Sequence, residues 1–190
     1  MDDTVSFIAM ADGTAEDYAL LERMDRHYME GLVGRVLAHL DLLKEGYGGY
    51  KIDRYQHSLQ TATRAHRAGR DEEYVVCALL HDIGDTLGPR NHADVAAAIL
   101  KPFVSERNHW IVEKHAIFQG YYFFEYLGLD KNMRKQFEGH PWFDYTAEFC
   151  EKYDQSSFDP DYESLPLGFF EQMIRHVMAR PRRSIYLRQE

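Results

Sequence analysis

The chain has 190 residues, with 22 Lys and Arg against 31 Asp and Glu, for a formal charge of −9. That length suits a single domain over residues 1–190 that can bury a core without staples, and 45% hydrophobic residues is too many for a disordered chain. The acidic balance argues against a nucleic-acid partner, and no apolar run approaches the roughly 18 residues of a membrane span. Met1 to Ala15 has no basic region, and its apolar run, Phe7 to Ala11, is too short for a secretory leader. The two cysteines, Cys77 and Cys150, do not describe a disulfide framework, so a reducing cytoplasm is the expected home.

Helix follows helix along the chain. Glu16 to Lys44 carries Leu20, Leu21, Met24, Val33, Leu37 and Leu40 at helical spacing, divided or weakened at Gly31 and Gly34. A glycine-bearing loop with Tyr47 and Tyr50 follows, then a helix from Arg54 to Ala68 closed by Gly69. Asp71 caps the next helix, which carries Val75, Val76, Leu79, Leu80 and Ile83 on one stripe and ends at Gly84. After the loop Asp85 to Asn91, Asn91 caps a short helix to Leu100. A long helix is predicted over Asn108 to Tyr126, with others over Lys131 to Phe137, Trp142 to Tyr153 and Gly168 to Ala179. No segment alternates as a strand does, and the fold class is all-α.

Ten histidines in a small acidic chain point to a metal. His81-Asp82 ends an apolar helix, where two unpaired polar groups would be costly to bury. A metal would satisfy both, whereas a capped helix end with an internally satisfied pair is the plainer alternative. His57 lies upstream; His92, His115 and Asp154 lie downstream. These six nitrogen and oxygen donors, with no thiolate, suit iron or manganese better than structural zinc. Six are more than one open catalytic site uses, and they fit two metals if Asp82 bridges.

His57, His81-Asp82 and Asp154, with the string Ala78-Leu79-Leu80-His81-Asp82-Ile83-Gly84, resemble the HD-domain superfamily of metal-dependent phosphohydrolases. His92 and His115 match the additional pair of its dinuclear members. The string His57-Ser58-Leu59-Gln60-Thr61-Ala62 is most similar to the mixed-valent diiron oxygenases that cleave the C–P bond of 1-hydroxyphosphonates, relatives of myo-inositol oxygenase. The resemblance covers about Tyr47 to Pro160 and implies an HD-domain helical bundle. It implies that His57, His81, Asp82 and Asp154 hold one iron, and that Asp82, His92 and His115 hold the other. The pair would be Fe(II)/Fe(III) bridged by Asp82, with Tyr47 as a gate over the second iron until the phosphonate substrate and O₂ arrive.

Three positions depart from the aminoethylphosphonate-type members. Asp85 stands where they have a histidine, Gln119 where they have a lysine, and Tyr50 where they have an acidic residue. Asp85, Tyr50 and Gln119 are therefore the candidate substrate contacts. Their aromatic and acidic character, with the run Tyr121 to Tyr126, suits a quaternary ammonium. The implied substrate is 1-hydroxy-2-(trimethylammonio)ethylphosphonate, giving glycine betaine and phosphate. Lys114, Arg90, Arg134 and Lys135 are candidate phosphonate anchors. The alternative is a dinuclear HD phosphohydrolase acting on a nucleotide or phosphomonoester. A catalytically silent HD module is disfavoured, because every ligand position is filled.

Overall fold

Eight α-helices joined by 3-10 turns and loops make up the described residues, and no strand occurs among them. The computed structural model describes residues 4–45 and 48–187. The all-α expectation is met, and the described residues form a helical bundle. The chain divides into two compact units, Met1–Ala38 and His39–Glu190.

In the first unit, α1 (Ala15–Glu30) begins on a capping box. Thr14 accepts from the Asp17 amide, and the Asp17 carboxylate accepts from the Thr14 amide. Asp17 also accepts from the Ser6 amide at 2.8 Å. That bond, more than any other, holds its carboxyl at about 2. The helical segment from Glu16 is divided at Gly31, as expected, where the amide turns back to the Tyr28 carbonyl at 3.2 Å; Gly34 lies inside the next helix. Helix α2 (Leu32–Asp41) then restarts the pattern.

The second unit is built around α4 (Glu72–Leu80), capped as expected by Asp71, which accepts from the Tyr74 amide. Tyr74 to Leu80 are all buried, so α4 has no polar face beyond its first turn, rather than the one apolar stripe expected. It packs against α3 (Arg54–Arg67), α6 (Glu106–Gln119) and α8 (Leu167–Val177). Each fully buried leucine here contributes roughly 1.5–3 kcal/mol. Glu73 ties α4 to the start of α6 by accepting from the Ser105 amide and the Asn108 amide group. No described helix is long and apolar enough to cross a membrane.

Three local departures shape the site. Helix α5 (His92–Leu100) follows Asn91, but the Asn91 side chain makes no capping bond. Helix α6 stops at Gln119 rather than Tyr126, and two 3-10 turns, Gly120–Tyr122 and Phe124–Leu127, follow. The Phe124 ring folds back onto Gly120, where a Cβ would lie 2.3 Å from it, so only glycine leaves the ring room. Helix α7 (Phe143–Phe149) widens into a π turn over Cys150–Asp154, closed by the Gln155 amide on the Cys150 carbonyl. The Lys131 to Phe137 segment is a 3-10 turn at Met133–Phe137.

Beyond the π turn, the chain is bound along α3. Ser157 offers its carbonyl to the His57 ring, Asp159 exchanges bonds with the Gln60 amide, and the Leu165 amide donates to Thr63.

Candidate metal centre

Six donors from five segments meet in the second unit. His57 comes from α3, His81 and Asp82 from the turn after α4, His92 from α5, His115 from α6 and Asp154 from the π turn. All are buried except His92, whose side chain is 21% exposed.

Backbone carbonyls fix three of the rings. The Nδ1–H of His57 donates to Ser157 at 2.8 Å, that of His81 to Ala78 at 2.8 Å, and that of His115 to Val112 at 2.7 Å. A carbonyl only accepts, so a proton sits on Nδ1 and each ring directs its Nε2 inward. His57 Nε2 lies 3.1 Å from His81 Nε2, and His92 Nε2 lies 3.2 Å from His115 Nε2. Lone pairs this close repel unless a proton or a metal cation sits between them.

Asp82 divides its oxygens between the two pairs. Oδ2 is 3.5 Å from both His57 Nε2 and His81 Nε2. Oδ1 is 3.4 Å from His92 Nε2 and 3.3 Å from His115 Nε2. Asp154 Oδ1 adds to the first pair, 3.2 Å from His57 and 3.6 Å from His81. The triads His57–His81–Asp154 and His81–Asp82–His115 each have donor atoms within 4.8 Å of one another. His92 joins the second triad through its contacts to Asp82 and His115.

The electrostatics agree with a cation-holding centre. Burial opposes charge on His81, but the Asp82 and Asp154 carboxylates outweigh it and raise the ring's pKa. Burial likewise opposes charge on Asp82 and Asp154. The surrounding histidines, with Arg54 beside Asp82, nevertheless hold both carboxyls below the ordinary range. His92 is pushed down by burial and so keeps its lone pair available near neutral pH. Asp154 Oδ2 is buried with no hydrogen-bond partner, a costly state that a metal would relieve. The donor set therefore fits two ions sharing the Asp82 carboxylate.

A cavity of about 420 Å³ opens onto this centre. Asp82, His92, His115 and Asp154 lie along it, and Tyr50, Tyr122, Phe123, Phe124 and Phe158 give it aromatic walls. Phe158 stacks on the His57 ring at 4.4 Å and on Tyr50 at 4.8 Å. Tyr50 is thus at the cavity, as is Gln119, whose amide donates to Asp154 Oδ1 at 3.1 Å. Asp85 is not among the cavity's walls; it borders a separate cleft with Thr86 and Pro89. Tyr47 lies outside the described residues.

Of the candidate anchors, Arg90 lines the cavity. Lys114 pairs with Glu113, and Arg134 stacks over Tyr121 at 3.8 Å. Arg54, which sequence reading passed over, lines the cavity and contacts Asp82. Its one signal was its place one helical turn before His57. Cys77 and Cys150 are buried thiols whose pKa values burial pushes up, which keeps them unreactive.

Residues 54–137 match the HD domain family. The match contains five of the six donors, and Asp154 follows it. Comparison with curated proteins gives no match.

Proposed function

We propose, taking the HD-domain match over residues 54–137 as premise, that this protein is a diiron oxygenase that cleaves the C–P bond of a 1-hydroxyphosphonate. The preferred substrate is 1-hydroxy-2-(trimethylammonio)ethylphosphonate, converted to glycine betaine and phosphate. The observation that carries the reading is the cavity lined by Asp82, His92, His115 and Asp154, where a cationic side chain and aromatic faces occur together. Arg90 forms no ion pair among the described residues and suits a phosphonate. The aromatic faces suit a trimethylammonium group, each good contact contributing roughly 0.5–2 kcal/mol.

The stoichiometry closes without an external reductant. The C–P and C–H bonds of the hydroxyl-bearing carbon are lost, four electrons pass to O₂, and its two oxygens end in the carboxylate and phosphate. A bound Fe(II)/Fe(III) pair would supply the electron transfer to O₂ and a seat for the substrate oxygens. The chain's own residues do the remaining work. Arg90 holds the phosphonate, and the aromatic walls exclude water and receive the ammonium head. Gln119 keeps Asp154 turned toward His57 through its 3.1 Å bond to Oδ1. Phe158 packs flat on the His57 ring and limits its rotation.

The test is aerobic and anaerobic turnover of the iron-loaded protein with this phosphonate. Phosphate release should match O₂ uptake one to one and stop without O₂. Phosphate release at full rate without O₂ would overturn the oxygenase reading, and nucleotide hydrolysis with Mn(II) would support the phosphohydrolase instead. Arg90→Ala should raise KM by about 10- to 100-fold, in keeping with the loss of one charge-assisted contact of about 1.5–3 kcal/mol. An unchanged KM would remove Arg90 as the anchor.

A further inference from the structure

Three of the four histidines have their Nδ1 fixed by a backbone carbonyl; His92 does not. What faces His92 Nδ1 is a carboxylate oxygen, Asp85 Oδ1, at 3.8 Å. The other oxygen, Asp85 Oδ2, lies 3.3 Å from Arg54 Nε. Arg54 in turn places Nη1 3.3 Å from Asp82 Oδ2. The contacts therefore run His92, Asp85, Arg54, Asp82 and close on His92 again through Asp82 Oδ1 at 3.4 Å. Asp85 and Arg54 are shielded, with side chains 7% and 17% exposed, so solvent screens these charges weakly.

We propose that Asp85 and Arg54 are positioning residues for the second ion position, the one formed by His92, His115 and Asp82 Oδ1. At 3.8 Å the Asp85 carboxylate acts on the outer nitrogen of His92 through its charge rather than a hydrogen bond, favouring the ring's orientation and raising its basicity as a ligand. Arg54 sets that carboxylate and the shared one together, because its guanidinium hydrogen-bonds Asp82 and lies within ion-pair distance of Asp85. The first position, His57 with His81 and Asp154, has its rings held by carbonyls and does not depend on Asp85. Asp85 thus acts on His92 rather than on the substrate's cation, consistent with its absence from the cavity walls. The inference rests on the two-ion reading of the centre.

Metal-free, full-length protein titrated anaerobically with Fe(II) tests it, with bound metal counted and partly oxidised samples read by EPR. Wild type should bind two ions. Asp85→Asn, close in shape, should bind the first unchanged and the second about 10- to 100-fold more weakly. It should lose the spin-coupled signal at limiting iron, and Asp85→Glu should recover part of it. Arg54→Lys, which keeps the charge but not the fork, should weaken the same ion and provides the test if Asp85→Asn does not fold. Either folded variant binding both ions like wild type, or losing both equally, overturns the proposal and leaves the two-ion reading standing. Wild type binding fewer than two ions overturns the two-ion reading itself, and the proposal with it. A loss of affinity for the trimethylammonio substrate but not for an uncharged analogue, with both ions retained, would make Asp85 a substrate contact and overturn the positioning role.

Discussion

Asp82→Asn is expected to leave the purified protein with neither ion position occupied at ordinary metal concentrations and with no metal-dependent turnover. The reason is the division of labour between its two oxygens, one 3.5 Å from His57 and His81, the other 3.3–3.4 Å from His115 and His92. An asparagine supplies one oxygen, and its amide hydrogens point at the lone pairs of the opposite histidines. The variant also removes the shared negative charge that offsets two cations in a buried site. Losing a partner that merely orients a ligand costs about 10- to 100-fold in metal affinity. Losing a donor common to both positions should therefore cost more than about a hundred-fold at each. Metal analysis after gel filtration, alongside O₂ uptake, gives the answer. Two retained ions would show that Asp82 is not the shared donor.

Gly84→Ala is expected to lower stability and to loosen His92 in one step. A Cβ at position 84 would sit 2.5 Å from the His92 carbonyl oxygen and 2.6 Å from Val95 Cβ. The first obstacle is backbone, which cannot swing aside as the end of a long side chain can. The first turn of α5 must retreat, and His92 is its first residue. Overpacking of this kind costs about 1–3 kcal/mol, which in a chain of this size lowers Tm by roughly 5–10 °C at the upper end. The displaced ring should also weaken the second ion position. Calorimetry and the iron titration check the two effects separately. A variant that melts and binds like wild type would mean that α5 can yield at this point without cost.

The parts legible in the sequence were those written locally. Asp71 announced the start of α4, and His81-Asp82 stood out because two polar groups follow a wholly apolar run. The extent of α6 was misjudged because Tyr121 to Tyr126 continues a helical pattern of apolar residues. The helix gives way to 3-10 turns where the Phe124 ring folds back onto Gly120, a tertiary contact that helical spacing does not reveal. The π turn was equally hidden, since one widened turn leaves no mark on hydrophobic spacing, yet it delivers Asp154. Arg54 was missed because an arginine opening a helix looks like any solvated cation until the fold brings Asp82 and Asp85 to it. Asp85 read as a pocket charge, and only its neighbours reveal that it faces Arg54 and His92.

The bonds between α3 and the segment after the π turn bear on how the centre comes into being. His57 and Ser157 are 100 residues apart, Gln60 and Asp159 are 99 apart, and Thr63 and Leu165 are 102 apart. Contacts across such separations carry the entropy of closing a long loop before they give anything back, and they belong to the slow part of folding. His57 cannot be oriented by Ser157, nor meet Asp154, while the chain is still growing toward those positions. On the ribosome, the first ion position is therefore among the last things to be made. An ion held there would add its binding energy to the closure of these long loops, so its removal should cost stability as well as activity.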